Sequence, residues 1–360
     1  MSEKIEGLAA QFASDNWSGI CPEAWSALAE ANAGHAPAYG ADDWTAAATA
    51  AIRKLFDTEC EVFFVFTGTA ANSIGLAATA RNTDAIICTA NAHINVDECG
   101  APGFFSGGAK LVTAESADGK LTTDMIEALA VTPHDVHSSR PAVVAITQAT
   151  EFGTVYTPLE MRQIAECAHA KGMRVHVDGA RFANAVASLG CEPADIAWRA
   201  GADVLSLGGT KNGLPFGEAV VFFDRELALE FGRRRMQGGQ LASKMRYLAA
   251  PWLGVLDGGA WLRHATHANG MALRLADAIA GIPGTRLLAP VQANGVFVDV
   301  PLSVIAALRE RNWKFYEFIG ATGIRLMCSW DTTQEVVDAF AADLRELAAG
   351  EAATSGAPAS

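Results

Sequence analysis

The feature that most constrains this chain is a recurrence. Short runs of β-branched and aromatic residues return at Val62–Phe66, Ala85–Cys88, Lys110–Thr113, Ala142–Thr147, Met173–Val177, Val204–Leu207 and Ala219–Phe223, most of them separated by stretches of helix length. A strand that is apolar on both faces must be covered on both, which points to a largely parallel sheet with helices above and below. Pro158–Lys171 reads as one of those helices: it is amphipathic and stops at Gly172. The fold class expected is therefore α/β. After Arg225 the pattern changes to long helical segments through about Ala280, then Gly295–Val300, a helix from Pro301, and short runs near Phe315 and Ile324. We read an N-terminal segment over 1–14, a large domain over 15–250, a smaller C-terminal α+β domain over 251–347, and a disordered tail over 348–360. That tail is rich in Ala, Gly, Ser and Pro and offers nothing to bury.

Composition narrows the function classes. With 50% apolar and 19% charged residues over 360 positions, the chain can bury a substantial core. Its 27 Lys and Arg against 40 Asp and Glu leave a net charge of −13, which argues against a nucleic-acid partner, since phosphate neutralisation needs concentrated positive charge. The seven cysteines form an odd set with no C-x-x-C pair and read as buried thiols of a reducing compartment. Met1-Ser-Glu-Lys-Ile-Glu-Gly lacks the basic head and apolar run of a secretion signal. Val62 to Ala80 is uncharged and long enough to suggest a membrane span, but Thr67, Gly68, Thr69, Asn72 and Ser73 fall at its middle. A buried strand, a polar turn and a helix fit it better. The expectation is a cytoplasmic protein with no membrane partner.

The residues that can carry chemistry sit at strand ends. Arg174-Val-His-Val-Asp178-Gly-Ala-Arg181 closes a buried strand with a carboxylate, at the sheet edge where open α/β proteins bind ligands. A second strand, Asp203–Leu207, runs into Gly208-Gly-Thr-Lys211-Asn-Gly213. An acid and a lysine so placed suit pyridoxal phosphate: the lysine condenses with the aldehyde, and the carboxylate keeps the ring nitrogen protonated so that the ring accepts electrons. The glycines would let the backbone approach the cofactor. Taken singly, each residue also reads as a strand-end acid or a surface-loop lysine. Phe66-Thr-Gly68-Thr69-Ala-Ala-Asn72-Ser73 joins a strand to a helix whose first-turn amides can hold a phosphate dianion, with Thr69 adding a hydroxyl. It matches neither a P-loop nor G-x-G-x-x-G, and an ordinary helix cap explains it equally.

Ser14-Asp-Asn, Gly68-Thr-Ala-Ala-Asn, Ala92-His93-Ile-Asn-Val-Asp97-Glu98, His176-Val-Asp-Gly-Ala-Arg181, Gly209-Thr-Lys-Asn-Gly and Arg325-Leu-Met-Cys-Ser-Trp330 follow one another in an order that resembles the low-specificity L-threonine aldolases. The resemblance runs from about Phe12 to Leu347 and is strongest to the bacterial branch with Gly-Gly-Thr-Lys-Asn-Gly at the lysine; the more widespread branch has a shorter Ser-x-x-Lys-Gly. It implies a fold-type-I enzyme with pyridoxal 5'-phosphate that cleaves L-threonine, L-allo-threonine and related β-hydroxy-α-amino acids such as phenylserine to glycine and an aldehyde. By that resemblance Lys211 carries the cofactor, Asp178 pairs with the pyridinium nitrogen, and Gly68 and Thr69 hold the phosphate. His93 stacks on the ring near the substrate hydroxyl, and Ser14, Arg181 and Arg325 hold the carboxylate. A homo-oligomer, dimer or tetramer, with active sites at the dimer interface is implied too, with Lys244, Arg233 or Gln240 as candidates to reach a neighbouring subunit's phosphate.

Other readings stay open at this point. A β-eliminating lyase or an aminotransferase would share the Asp and the Lys and differ only in product. A non-catalytic pyridoxal-phosphate sensor would carry an additional DNA-binding or partner domain, for which no basic patch is present. No metal is expected: His134/His137 and His264/His267 have i, i+3 spacing but no third ligand nearby, and read as surface or packing residues. Asp97 and Glu98 are candidates to lie near the site, although a solvated helix start explains them as well. The Arg233-Arg-Arg run reads as a solvated or interface patch.

Overall fold

The computed structural model describes residues 10–131 and 136–355, with side chains as far as 351. The chain divides into two compact units. Among the described residues, one comprises those of 20–151 and 155–262; the other takes 10–19, the short stretch Phe152–Thr154, and 263–355.

The larger unit is built on seven strands: β1 (Glu61–Val65), β2 (Asp84–Thr89), β3 (Lys110–Ala114), β4 (Arg140–Thr147), β5 (Arg174–Gly179), β6 (Val204–Leu207) and β7 (Glu218–Phe222). They lie in the order β1-β7-β6-β5-β4-β2-β3. β6, β5, β4, β2 and β3 are mutually parallel, while β7 runs antiparallel to both neighbours. Every residue of β2, β6 and β7 is buried, as expected of strands covered on both faces. The covering elements begin where the sequence supplies caps. Thr67 opens the helix Gly68–Thr79 by accepting from the Ala70 amide, and Thr157 with Glu160 forms a reciprocal capping box on Pro158–Ala170. The helix Gly68–Thr79 is buried from Ala70 through Ala77, with small residues on the sides it turns toward its neighbours.

Strand order places the chemistry. From β2 the chain moves outward to β3, and from β4 it moves the other way to β5, so the connections diverge between β2 and β4. Crevices at such a point, beyond the carboxyl ends of parallel strands, are where open α/β sheets bind ligands.

The smaller unit has an antiparallel sheet in the order β10-β11-β9-β8, from β8 (Arg286–Leu287), β9 (Gly295–Asp299), β10 (Tyr316–Ile319) and β11 (Gly323–Met327). The helices Leu302–Glu310 and Gln334–Ser355 belong to it, and its core gathers Phe12, Val296, Leu308, Trp313, Leu326 and Phe340. Phe12 is held from both sides: its ring lies 5.3 Å from Phe340 and 6.0 Å from Trp313, and its amide donates to the Lys314 carbonyl at 2.7 Å.

Three boundaries differ from the sequence reading. Residues 10–19 and Phe152–Thr154 group with the C-terminal unit, and that unit starts at Arg263 rather than 251. The last helix continues to Ser355, so the segment from Ala348 is helical up to that point. Its low complexity hid this, because alanine is the strongest helix former whatever the company it keeps. Residues 356–360 lie outside the described part, as does His134. Among the described residues no helix is long and apolar enough to cross a membrane.

Candidate active site

Four parallel strands deliver side chains to one edge of the larger unit. β5 ends in Asp178, which is 6% exposed. Its Oδ1 accepts from the Ala180 amide at 3.0 Å and its Oδ2 from Asn72 Nδ2 at 2.8 Å. Asp178 pairs in register with Ser206 on β6, so the loop that leaves β6 rises beside it.

That loop carries Lys211 on a single 3-10 turn, Thr210–Asn212. The glycines before it are required by closeness of backbone rather than by torsion. A Cβ on Gly208 would lie 2.5 Å from the Ala180 carbonyl oxygen, and one on Gly209 would meet Trp252 at 2.7 Å. Glu218, buried on β7, accepts from the Gly209 amide at 2.5 Å and ties down the same loop. Burial pushes the Glu218 carboxyl above the ordinary carboxylate range.

After β2 the chain makes one short helical turn, His93–Val96, and reaches Glu98. The His93 amide donates to Glu151 Oε1 at 2.9 Å, which fixes the turn against the segment that follows β4. On the ring, Nδ1 lies 2.9 Å from Glu98 Oε1 and Nε2 lies 3.7 Å from Asp97 Oδ2. Bonding to Glu98 raises the proton affinity of His93 above that of an ordinary histidine, with Asp178 adding to the effect and Lys211 opposing it. His93 is therefore within electrostatic reach of both strand-end residues. Glu151 is also held above the ordinary range, chiefly by burial.

The helix Gly68–Thr79 starts at the same edge. Its Thr67 cap satisfies the Ala70 amide, leaving the Gly68 and Thr69 amides at the helix mouth, and a Cβ on Gly68 would meet nothing within 4 Å. That combination of outward amides, a hydroxyl and open space suits a phosphate. Beside it, Gln240 Oε1 accepts from the Phe66 amide at 2.9 Å. Gln240 thus braces the loop of its own chain. Arg233 pairs with Glu230 on an exposed surface, while Arg235 is half-buried, 5.3 Å above the Phe63 ring, where desolvation lowers its guanidinium to about 10. The three arginines therefore do not form one solvated patch.

The unit thus brings together Gly68, Thr69, His93, Asp178 and Lys211, and Arg181 follows Asp178 as the residue preceding the helix Phe182–Leu189. The donor set fits pyridoxal 5'-phosphate: a buried carboxylate for a ring nitrogen, a lysine for an aldehyde, and helix-start amides for a dianion. Ser14 and Arg325 belong to the smaller unit, where they lie close to each other. Arg325 reaches the Ala13 carbonyl at 3.5 Å and spreads over the Phe318 ring at 4.9 Å, while Ser14 Oγ accepts from the Asn16 amide. In the same unit His264 packs edge-on to Trp330, and His267 Nε2 bonds the Thr332 carbonyl at 2.7 Å.

Sequence reasoning assigned no role to Asn72, Glu151 or Glu218. Asn72 had a readable signal, since it lies one helical turn beyond Gly68 and so faces the same edge. Glu151 and Glu218 had none, because their function follows from register between strands distant in sequence.

Residues 11–303 match the family model described as beta-eliminating lyase. A low specificity L-threonine aldolase of a Pseudomonas species is 55% identical, covering 94% of this chain and 97% of that protein, and one of Pseudomonas aeruginosa is 56% identical over 93% and 97%. A solved threonine aldolase structure from Leishmania major superposes with a TM-score of 0.88 at 29% identity, covering 94% of this chain and 99% of that one.

Proposed function

The chain belongs to the beta-eliminating lyase family, among the low-specificity L-threonine aldolases, and from that premise we propose how its residues divide the work. It is a lyase dependent on pyridoxal 5'-phosphate, and the reaction is cleavage of L-threonine, L-allo-threonine and related β-hydroxy-α-amino acids to glycine and an aldehyde. The observation that carries the reading is the buried Asp178 beside the glycine-braced Lys211 loop, at the ends of adjacent strands.

When bound, the cofactor supplies an acceptor for the electron pair left at Cα when the Cα–Cβ bond breaks. Lys211 holds it covalently. Asp178 keeps the proton on its ring nitrogen, a task that a buried, doubly hydrogen-bonded carboxylate performs without rearrangement. Gly68 and Thr69 bind the phosphate. His93 would face the ring and take the β-hydroxyl proton, directly or through water, at Nε2. Arg181 would orient the substrate carboxylate, a role that the resemblance also gives to Ser14 and Arg325 of the smaller unit. We also propose cytoplasmic residence and a homo-oligomer, a dimer or tetramer. Phe104, Leu229 and Met236 are exposed apolar residues that an association could cover, and the cysteines are free thiols, although Cys99 is exposed and Cys167 and Cys191 are half-buried rather than buried as expected.

The test is to incubate the holoprotein with L-threonine and to assay glycine, acetaldehyde, ammonia and keto acid together. Equimolar glycine and acetaldehyde is the expected result. Ammonia with a keto acid would mean elimination, and a keto acid formed only when an amino acceptor is added would mean transamination.

A further inference from the structure

Glu98 is the most enclosed charged group at the site that the mechanism above does not use. Its side chain has no exposed surface, yet three side chains from two elements converge on it. Oε1 accepts from Asn72 Nδ2 at 2.9 Å and lies 2.9 Å from His93 Nδ1; Oε2 accepts from Ser73 Oγ at 3.3 Å. Asn72 is shared, since the same Nδ2 also donates to Asp178 Oδ2 at 2.8 Å. With both amide hydrogens facing carboxylates, the orientation of Asn72 is set, and its Oδ1 is buried with no hydrogen-bond partner among the described residues. A buried amide oxygen left unbonded is a cost to the fold. Here the helix bears it in order to present a double donor between two acids.

We propose that Glu98 is a positioning residue that fixes which nitrogen of His93 is basic and, through Asn72, couples the placement of His93 to that of Asp178. An ionised Glu98 is acceptor-only, so His93 Nδ1 must be the donor, and Nε2 is left as the nitrogen that can take a proton. The ring is then oriented from behind, as an outer carboxylate orients a working histidine elsewhere. This rests on the reading of His93 as the base but concerns the imidazole itself. Besides Glu98, the charged groups facing His93 are Asp97 at 3.7 Å, Glu151 on its amide, and Asp178 and Lys211 at the strand ends.

The test uses Glu98→Gln, which keeps the shape and removes the charge, and Glu98→Asp, which keeps the charge. Two quantities are read on each holoenzyme: the pH dependence of diethylpyrocarbonate modification at His93, located by peptide mapping, and the pH profile of kcat/KM for L-threonine. In Glu98→Gln the His93 midpoint and the acid limb of the profile both move to lower pH, and kcat/KM at its optimum falls roughly 10–100-fold. In Glu98→Asp both return toward wild type. If Glu98→Gln does not fold, the second variant decides alone: a His93 midpoint nearer wild type than an ordinary histidine supports the proposal. An unchanged His93 midpoint in Glu98→Gln, with or without a loss of rate, overturns it. Because the modification readout needs no turnover, a failure of the aldolase reading leaves it intact and is recognised separately by the absence of glycine.

Discussion

At the scale of single residues, Asp178 and His93 are assigned most of the chemistry. Asp178→Asn retains a hydrogen-bonding shape but offers a neutral amide to the ring nitrogen. The protein should stay folded and keep bound cofactor while losing at least about 100-fold in turnover, about 2.7 kcal/mol of transition-state stabilisation. Near-normal turnover with cofactor bound would remove its role. His93→Phe separates two tasks given to one ring, since phenylalanine can still lie flat but cannot accept a proton. Cleavage should fall by roughly 10²–10⁴-fold. Exchange of the glycine α-proton needs no deprotonation of a β-hydroxyl and should fall far less. Equal losses in the two rates would instead make His93 a support for the cofactor.

At the scale of elements, the site depends on how closely two strand-ends approach. Gly208 follows β6 where the Ala180 backbone crosses it, and nothing there is a flexible side chain that can swing aside. Gly208→Ala should force the β5 and β6 loops apart at a cost of about 1–3 kcal/mol. It should release cofactor readily while the far-ultraviolet circular dichroism stays that of the wild type; normal cofactor retention would show that the lysine loop tolerates the shift. All seven strands of the large sheet were legible because each is an apolar or β-branched run that needs no knowledge of neighbours, although only β2, β6 and β7 are buried throughout and β3 is partly exposed. Direction was harder. β7 resembles the parallel strands in composition and runs the other way, and the only sign of it is that residues 208–217 are too few for a crossover connection. β8 is two exposed residues and left no pattern at all. Asp178, Lys211 and the Gly68–Thr69 turn could be found because strand ends are marked by glycines, whereas Glu218 and Glu151 acquire meaning only from pairing.

At the scale of the molecule, the unit boundaries were the least legible, because Phe12 and Phe152–Thr154 join the C-terminal unit from far away in sequence. The buried histidine of β5 gives the whole fold a pH dependence. His176 is wholly buried against Ser206, and desolvation lowers it to about 4. Between that value and about 6.5 the unfolded chain binds this proton and the native state does not. Stability should therefore fall as pH drops through that window, and thermal unfolding of a His176→Leu variant should show a shallower slope there; an unchanged slope would assign the acid sensitivity to other groups. Every role assigned above nevertheless presupposes that the cofactor sits on the glycine-braced loop after β6. Borohydride reduction of the holoprotein followed by peptide mapping reads this directly. The pyridoxyl group should be found on Lys211, and a label on Lys244 or Lys110 would contradict the account.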